Sequence, residues 1–272
     1  MDMAEASTLK ALILDWAGTA VDFGSRAPMG AFVEAFGQVG VTISIPEARG
    51  PMGLPKRDHV AALLHSPDIA ARWQAAHGAA PTEADVDRVL AIFEPLNVEV
   101  IPRHADLIPG LLDVVAEARR RGMKIGSTTG YTRPILEVLA PLAASAGYAP
   151  DNVVCAGDLA AGRPSPLMMY RTFADIGVWP PAACVKLDDT EPGIAEGLAA
   201  GTWTVGLALS GNAAGLSKAE LDQLAPDDRA ALRARASATL FAAGAHFVID
   251  TVADLLPVLD AIEARLAAGL RP

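Results

Sequence analysis

Residues 12–19 read LILDWAGT, and this stretch decides the fold. A run of apolar residues ends on one carboxylate, Asp15, and a glycine and a threonine follow shortly after it. Near-continuous apolar runs are typical of parallel strands covered on both faces, and ligands bind beyond the carboxyl ends of such strands. The stretch predicts a buried strand that ends at Asp15, although a strand-terminal Asp by itself is more often a turn or helix-capping residue.

Five further apolar runs repeat this pattern, with amphipathic helical patterns between them. Together with residues 9–15, the predicted strands are 124–129, 152–157, 184–189, 203–209 and 246–250. The alternation of short strands with longer helices favours a parallel sheet with helices on both faces. We therefore predict an α/β fold whose core is a doubly wound parallel sheet.

One interval breaks this alternation. Residues 24–103 contain helix-like segments such as APMGAFVEAFGQVG and TEADVDRVLAIFEPLNVEV, and no run that is typical of a strand. We predict that residues 24–103 form an inserted all-helical cap domain and that residues 1–23 and 104–272 form the core domain. Residues 211–245 are Ala-rich and helical in pattern, without a recognisable chemical motif.

The composition argues against several classes of protein. The net charge of −10 disfavours binding to nucleic acid or to an anionic membrane, because both require a basic surface. No run approaches the roughly 18 apolar residues of a membrane span, and the N-terminus lacks the basic start of a signal peptide. Cys155 and Cys184 lie in apolar runs, which favours buried thiols in a reducing compartment. We predict a soluble cytoplasmic protein with no nucleic-acid or membrane partner.

Polar groups follow four of the predicted strands. In chain order they are Asp15, the cluster Ser127-Thr128-Thr129-Gly130, Arg163 in GRPSP, and the pair Asp188-Asp189. Each alone is more often an ordinary turn, cap or surface feature. Together they fall at one edge of the predicted sheet, where acids, a cation and hydroxyl groups make a Mg²⁺ and phosphoryl site.

The order of these groups resembles the haloacid dehalogenase superfamily. The strand that ends in the nucleophilic Asp of that superfamily is matched by Asp15, and its second-strand Ser or Thr by Thr129, with Thr128 as the alternative register. Its basic residue, usually Lys, is matched by Arg163, and its Mg²⁺-binding acid pair by LDDT at 187–190. The resemblance implies a Rossmann-like core, an inserted helical cap and Mg²⁺ as cofactor.

Position 17 departs from the phosphatases of this superfamily, which carry a second Asp two residues after the nucleophile. That Asp protonates the departing alkoxide and later activates water. Ala17 can do neither, although the resemblance implies that its backbone carbonyl binds Mg²⁺ with Asp15 and Asp189. Asp188 is either a second acid near the metal or a helix cap. The departure indicates a non-catalytic site, or a leaving group that is not an alkoxide.

The sequence RGPMGLPKRDH at 49–59, in the predicted cap, offers another way to activate a leaving group. Lys56 follows a Gly/Pro-rich loop and begins a predicted helix, with Met52 and His59 close to it along the chain. A lysine in such a place is most often a surface cation. A lysine of lowered pKa can instead condense with an aldehyde to form an imine, and burial or a nearby cation such as Arg57 would lower that pKa.

The Asp15–Ala17 motif, the MGxxK loop containing Lys56, Arg163 and STTGYT together resemble one branch of the superfamily, the phosphonoacetaldehyde hydrolases or phosphonatases, over essentially the whole chain. The resemblance implies hydrolysis of the P–C bond of phosphonoacetaldehyde to acetaldehyde and phosphate, within the degradation of 2-aminoethylphosphonate. It also implies a homodimer formed through the caps.

The resemblance further implies a role for each candidate residue. Lys56 would form a Schiff base and Asp15 an aspartyl-phosphate, while Arg163 and Thr129 neutralise charge. His59 would relay protons, and the substrate would be contacted by Met52, Tyr131, Thr128 and Gly130.

Two other functions remain open from the sequence. A phosphate monoester phosphatase or phosphomutase would share the fold, but it would normally carry an acid at position 17 and would not need Lys56. A non-catalytic phosphonate- or phosphate-binding protein on the same scaffold is disfavoured by the complete set of Asp15, Lys56, Arg163 and Asp189.

Overall fold

The computed structural model describes residues 8–272; residues 1–7, which the predicted core domain includes, lie outside the described residues. Six strands form one sheet, and each overlaps one of the predicted segments. They are β1 (Ala11–Leu14), β2 (Lys124–Thr132), β3 (Val154–Ala156), β4 (Cys184–Asp188), β5 (Trp203–Leu207) and β6 (Phe247–Ile249).

The sheet is parallel throughout, and its strand order is β3-β2-β1-β4-β5-β6. The first strand lies at the centre, paired with β2 on one side and β4 on the other. Chain connections run outwards from β1 in both directions, so the order reverses between β1 and β4. Ligands of doubly wound sheets bind beyond the strand ends at such a point. The predicted α/β fold is confirmed, and Asp15 and the acid pair flank this position.

Residues 24–103, all of them described, contain helices and no strand. The helices are α1 (Ala27–Gln38), α2 (Ile45–Arg49), α3 (Lys56–His65), α4 (Pro67–His77) and α5 (Glu83–Val100), followed by a 3₁₀ turn at Ile101–His104. They enclose an apolar cluster of their own, separate from that of the sheet. Phe32 of α1 stacks on Phe93 of α5 at its centre, with ring centroids 4.0 Å apart.

Helices cover both faces of the sheet. They are α6 (Leu111–Arg120), α7 (Arg133–Ser145), α8 (Leu167–Ile176), α9 (Glu191–Ala200), α10 (Lys218–Asp222), α11 (Pro226–Ala242) and α12 (Leu256–Ala267). Strands β1, β4 and β5 are buried along their whole length, which explains their continuous apolar sequences. Both cysteines are free and buried, and no described helix is long and apolar enough to cross a membrane.

Two linkers, at residues 22–26 and 101–106, connect the helical segment from α1 to α5, called the cap below, with the sheet and its covering helices, called the core. Asp22 ties them together: its Oδ1 lies 2.9 Å from Nδ1 of His104, and its backbone N–H donates to the carbonyl of Asp106 at 3.2 Å. Its Oδ2 also accepts the N–H of Ala27 at 2.8 Å, at the start of α1. The path into the cap and the path out of it are therefore held side by side.

Candidate active site

Asp15 lies immediately beyond β1 at the carboxyl edge of the sheet. Its backbone N–H donates to the carbonyl of Leu187 on β4 at 3.1 Å. Burial raises the pKa of its carboxyl group from 3.8 to about 6, against the opposing charges of Arg163 and Lys186. Its Oδ1 accepts a hydrogen bond from Nη2 of Arg163 at 2.8 Å. The carboxylate is thus fixed where the sequence predicted a nucleophile.

Arg163 is buried and joins groups from several strand ends. Its Nη2 donates to Oδ1 of Asp15 and to the carbonyl of Thr128 at 2.7 Å, and lies 3.1 Å from Oδ2 of Asp188. Its Nε donates to Oε2 of Glu196 at 3.1 Å. Because a guanidinium presents its donors in one rigid plane, these partners fix both the position and the tilt of the cation.

The two acids at the end of β4 have different surroundings. Oδ1 of Asp188 accepts the N–H of Thr190 at 3.1 Å and its hydroxyl at 2.7 Å, and Oδ2 lies 3.1 Å from Nζ of Lys186. Oδ2 of Asp189 accepts the N–H of Asn212 at 2.7 Å, whereas Oδ1 of Asp189 is buried without a hydrogen-bond partner. Asp188 therefore pairs with the cations Arg163 and Lys186 and accepts hydrogen bonds from Thr190 at the start of α9, whereas Asp189 keeps one oxygen available for a ligand.

These acids form a cluster that suits a divalent cation. Carboxylate oxygens of Asp15, Asp188 and Asp189 lie within 4.8 Å of one another. Burial, together with the negative charges of Asp15 and Asp188, raises the pKa of Asp189 well above its usual value. Mg²⁺ prefers hard oxygen ligands, and its charge would relieve this repulsion. The unpartnered Oδ1 of Asp189 makes it a better candidate ligand than Asp188.

Lys56 is the first residue of α3, and its side chain is almost fully buried. Its Nζ lies 3.9 Å from Sδ of Met52 and 5.4 Å from the ring centroid of Tyr131. Burial lowers the pKa of the amine from 10.5 to about 8; the charge of Asp15 opposes this shift and the charge of Arg163 adds to it. A lysine in this environment can supply the neutral amine that attack on an aldehyde requires.

The sequence offered burial or a nearby cation such as Arg57 as the cause of a lowered pKa at Lys56; burial is the main cause, and Arg57 is not the cation that contributes. Nε of Arg57 donates to Asp87 and its Nη2 to Glu83, each at 2.8 Å, and both acids lie on α5. Neighbouring residues of a helix point about 100° apart, so Arg57 faces the outer surface of the cap when Lys56 faces inwards. The nearby cation comes instead from the core, as Arg163.

A small cavity lies where the cap meets the core. Nine of the eleven predicted site residues line it. They are Asp15, Ala17, Thr129, Gly130, Tyr131, Arg163 and Asp189 from the core, and Met52 and Lys56 from the cap. The predicted nucleophile and the predicted imine-forming lysine therefore share one small cavity.

Thr128 is one of the two predicted residues that do not line this cavity. Its hydroxyl donates to Oε2 of Glu196 and accepts from Nζ of Lys186, each at 2.8 Å. Thr129, the next residue, does line the cavity, and its hydroxyl oxygen accepts the N–H of Tyr131 at 3.1 Å. Of the two registers considered for the strand-end hydroxyl, the structure brings Thr129 to the cavity.

His59 is the other. Its Nε2 donates to the carbonyl of Ala48 at 2.8 Å, and its ring stacks on Phe32 inside the cap. Burial lowers the pKa of the imidazole well below its usual value, and the positive charge of Lys56 lowers it further. His59 is therefore a neutral group behind Lys56, and its Nδ1 is buried without a partner.

Two buried charged residues of this region were missed from the sequence. Nζ of Lys186 lies 3.3 Å from Oε2 of Glu196, and both side chains are fully buried beside Arg163. The sequence did contain a signal for Lys186: it lies two residues before Asp188 in the same strand, and residues two apart in a strand point to the same face. Removing either partner of such a pair would leave a buried charge uncompensated, which is strongly destabilising.

Comparisons with known proteins agree with this geometry. The model of the haloacid dehalogenase-like hydrolases matches residues 9–201. The phosphonoacetaldehyde hydrolase of Paraburkholderia xenovorans is 54% identical over 264 residues, which cover 97% of this chain and 99% of that protein. The phosphonoacetaldehyde hydrolase of Aeromonas hydrophila is 51% identical, with 97% and 95% of the two chains covered.

Solved structures show the same relationship. The crystal structure of a phosphonoacetaldehyde hydrolase-like protein from Oleispira antarctica superimposes with a TM-score of 0.96 at 41% identity, over 100% of both chains. A β-phosphoglucomutase from Clostridium difficile shares the fold alone, with a TM-score of 0.67 at 16% identity over 96% of this chain and 99% of the other. The chain thus belongs to the haloacid dehalogenase-like hydrolases, in the branch of the phosphonoacetaldehyde hydrolases, and is an enzyme.

Proposed function

We propose that this protein hydrolyses the P–C bond of phosphonoacetaldehyde to acetaldehyde and phosphate, as the names of its relatives state for them. The observation that carries the proposal is the shared cavity: the amine of Lys56 and the carboxylate of Asp15 line it, and Ala17 supplies no acid for an ester's leaving group. Direct cleavage of the P–C bond would expel a carbanion, so the leaving fragment needs an electron sink. Lys56 is the group that can supply one.

In the first step, the neutral amine of Lys56 adds to the aldehyde carbon, one proton is taken up from solvent and water leaves, which gives a protonated imine. The buried setting that lowers the pKa of Lys56 to about 8 favours this attack. The ring of Tyr131 flanks the amine on the core side and the ring of Phe32 flanks it on the cap side, with centroids 5.4 and 5.7 Å from Nζ. We propose that Met52, Tyr131 and Gly130 shape the space for the aldehyde fragment.

In the second step, a carboxylate oxygen of Asp15 attacks phosphorus and the P–C bond breaks. The bonding electrons pass into the imine, so the fragment departs as an enamine on Lys56 and Asp15 becomes an aspartyl-phosphate. Arg163, which already donates to Asp15, and the hydroxyl of Thr129 would neutralise charge on the phosphoryl oxygens. Thr128 would act through its carbonyl, which holds Arg163.

In the last steps, the enamine takes up a proton on carbon and water hydrolyses the imine, which releases acetaldehyde and free Lys56. A second water hydrolyses the aspartyl-phosphate and releases phosphate. One water is consumed overall, because imine formation released one. We propose His59, one helical turn from Lys56, as a relay for these protons through its unpartnered Nδ1.

The acid cluster fits Mg²⁺, and we propose this ion as the cofactor. Asp15, Asp189 and the backbone carbonyl of Ala17 would hold it, with Asp188 behind them paired to Arg163 and Lys186. When bound, Mg²⁺ supplies charge neutralisation and alignment for the phosphoryl group.

We also propose the wider setting that the sequence predicted. The core domain would comprise residues 1–23 and 104–272 and the cap domain residues 24–103, each described part having an apolar cluster of its own. The enzyme would act in the cytoplasm, in the degradation of 2-aminoethylphosphonate, as a homodimer formed through its caps.

Reductive trapping tests the imine. The protein is incubated with phosphonoacetaldehyde and Mg²⁺, treated with borohydride, digested and analysed by mass spectrometry. The chain has only five lysines, so the adduct can be assigned without ambiguity, and we expect it on Lys56. Lys56→Met should lose both adduct and acetaldehyde release, whereas Lys218→Met, at an exposed lysine of α10, should retain both.

Three outcomes would contradict the proposal. Acetaldehyde release without an adduct on Lys56 would overturn the imine mechanism. Hydrolysis of simple phosphate monoesters that persists in Lys56→Met would favour a phosphatase or phosphomutase. Tight binding of the phosphonate without release of acetaldehyde would favour a binding protein.

A further inference from the structure

Arg49, at the last position of α2 in the cap, reaches across to the core. Its Nη1 donates to the carbonyl of Gly24 at 2.9 Å and to Oδ1 of Asn212 at 3.1 Å. Its Nη2 donates to the carbonyl of Gly215 at 3.1 Å, and the carbonyl of Ser25 lies 3.3 Å from Nη1. One cap side chain thus donates hydrogen bonds both to the linker at 22–26 and to a core loop at residues 210–216.

The 210–216 loop also touches the catalytic machinery. The N–H of Asn212 donates to Oδ2 of Asp189 at 2.7 Å, and the hydroxyl of Ser210 donates to the carbonyl of Gly18, in the turn after the nucleophile, at 2.9 Å. The side-chain amide of Asn212 also donates to the backbone carbonyl of Arg49 at 3.4 Å. Asn212 therefore stands between the cap arginine and the candidate metal ligand.

The loop is shaped around the guanidinium. Gly215 has a φ of +66°, and a Cβ there would lie 2.8 Å from Cζ of Arg49. Ser25, whose carbonyl faces the same guanidinium, has a φ of +49°, which is an unfavourable conformation for a residue with a side chain. Such a conformation persists only where its surroundings hold it, and Arg49 is one of the groups that do so.

We propose that Arg49 is a positioning residue that latches the cap onto the core and couples cap closure to the metal ligand Asp189 through Asn212. This inference rests on the proposed function, in which Lys56 must face Asp15 across the cavity. Lys56 follows Arg49 by only seven residues, so the position of Arg49 affects the position of Lys56. Arg49 itself does not line that cavity. It acts on the reaction by setting where Lys56 stands.

The coupling works in both directions. If latching favours the orientation of Asp189 that binds Mg²⁺, then Mg²⁺ must favour the latched cap by the same factor, because linkage between two binding events is reciprocal. Loss of the latch should consequently weaken Mg²⁺ binding even when no phosphonate is present.

The test compares Arg49→Met, Arg49→Lys and Asn212→Ala with a matched control, Arg57→Met. Arg57 is a cap arginine next to Lys56, but its partners Glu83 and Asp87 are both in the cap. Hydrogen–deuterium exchange is measured at residues 22–26 and 210–216 with saturating Mg²⁺, and Mg²⁺ affinity is measured by calorimetry. Thermal unfolding identifies any variant that fails to fold.

We expect exchange at both segments to rise about tenfold or more in Arg49→Met, since several hydrogen bonds from a charged donor are lost at once. The dissociation constant of Mg²⁺ should rise about fivefold in Arg49→Met and in Asn212→Ala. The KM for phosphonoacetaldehyde should rise more than kcat falls, and Arg49→Lys should recover part of each effect. Arg57→Met should match the wild-type protein.

Equal exchange rates and Mg²⁺ affinities in Arg49→Met and Arg57→Met would overturn the latch. Loss of activity in Arg49→Met with unchanged exchange and Mg²⁺ affinity would also overturn it. Neither measurement needs the phosphonate, so the two proposals fail separately: a wild-type protein that does not cleave phosphonoacetaldehyde refutes the function and leaves the exchange and affinity results intact.

Discussion

At the scale of single residues, the burial of Lys56 has a cost that can be measured. A pKa difference of one corresponds to about 1.4 kcal/mol, so lowering the pKa from 10.5 to about 8 destabilises the folded protein by about 3 kcal/mol at neutral pH. We expect Lys56→Met to raise the free energy of unfolding by about that amount while activity is lost. Urea denaturation in buffer free of divalent cations measures the gain.

The pH dependence of this gain follows from the direction of the shift. Below about pH 8 the lysine is protonated in both states, and the folded protein carries the full cost. Between pH 8 and 10.5 the folded state loses its proton first, so the advantage of Lys56→Met should shrink as the pH rises. Lys218→Met, at a lysine whose side chain is 53% exposed, should change stability little. A gain independent of pH would contradict the assigned burial of Lys56.

The same scale shows which site residues could be predicted from the sequence. Asp15, Thr129, Arg163 and Asp189 were accessible because each ends or follows a strand, and parallel strands bring their carboxyl ends to one edge. Arg57 was misjudged because sequence proximity to Lys56 does not reveal which helix face each residue occupies. The same cause explains why the pair of Lys186 and Glu196 was missed: contacts between distant segments are fixed by packing and leave no local sequence pattern.

At the scale of elements, α9 must approach β4 closely. Lys186 and Asp188 project from one face of β4, and α9 can cover them because it presents Gly193 and Gly197 to that face. A Cβ at Gly193 would lie 1.9 Å from Cγ of Asp188, and one at Gly197 would lie 2.9 Å from Cβ of Lys186. The two glycines therefore make room for buried charges rather than for a turn.

This packing predicts opposite effects for two helical glycine substitutions. Gly193→Ala should destabilise the protein by about 1–3 kcal/mol or more and reduce activity, because Asp188 cannot move without leaving Arg163. Gly30→Ala, in α1 with open space around it, should stabilise by up to about 1 kcal/mol through helix propensity alone. Thermal unfolding of both variants checks the prediction, and a stabilised Gly193→Ala would refute the close approach.

Elements were also where the sequence was most informative. Strands such as β4 and β5 are short, apolar and buried on both faces, so local composition identified them without knowledge of their neighbours. The end of β2 was harder: polar residues carry it to Thr132, beyond the predicted 129, because they pair with β3 beside the cavity. The 210–216 loop has no local signature, since its role depends on Arg49 and Asp189.

At the scale of the whole molecule, two apolar clusters meet at a polar site. The apolar residues of α1, including Phe32 and Phe36, are buried within the cap. Among the cap residues, all of which the structure describes, Ile45 at 42% is the only exposed large apolar side chain. The apolar side chains of α1 thus pack inside the cap. The homodimer stays a prediction. Closure of cap on core depends on charges and hydrogen bonds.

The stability of the whole molecule should therefore respond to Mg²⁺. The acids Asp15, Asp188 and Asp189 are buried within 4.8 Å of one another, and a cation bound only by the folded state relieves their repulsion. At a Mg²⁺ concentration about 100 times its dissociation constant, binding adds about 2.7 kcal/mol, which corresponds to about 5–10 °C in Tm for a chain of this size. Chelation with EDTA should lower Tm by that amount, as differential scanning calorimetry would record.

Two variants make this expectation specific to the acid cluster. Asp189→Asn should abolish the Mg²⁺-dependent rise in Tm and should itself raise the Tm of the metal-free protein, because one of three mutually repelling carboxylates is gone. Asp227→Asn, at an exposed acid in the first turn of α11, should leave the rise intact. A full Mg²⁺ response in Asp189→Asn would mean that the ion binds elsewhere, and it would remove Asp189 as the link through which the cap latch reaches the metal.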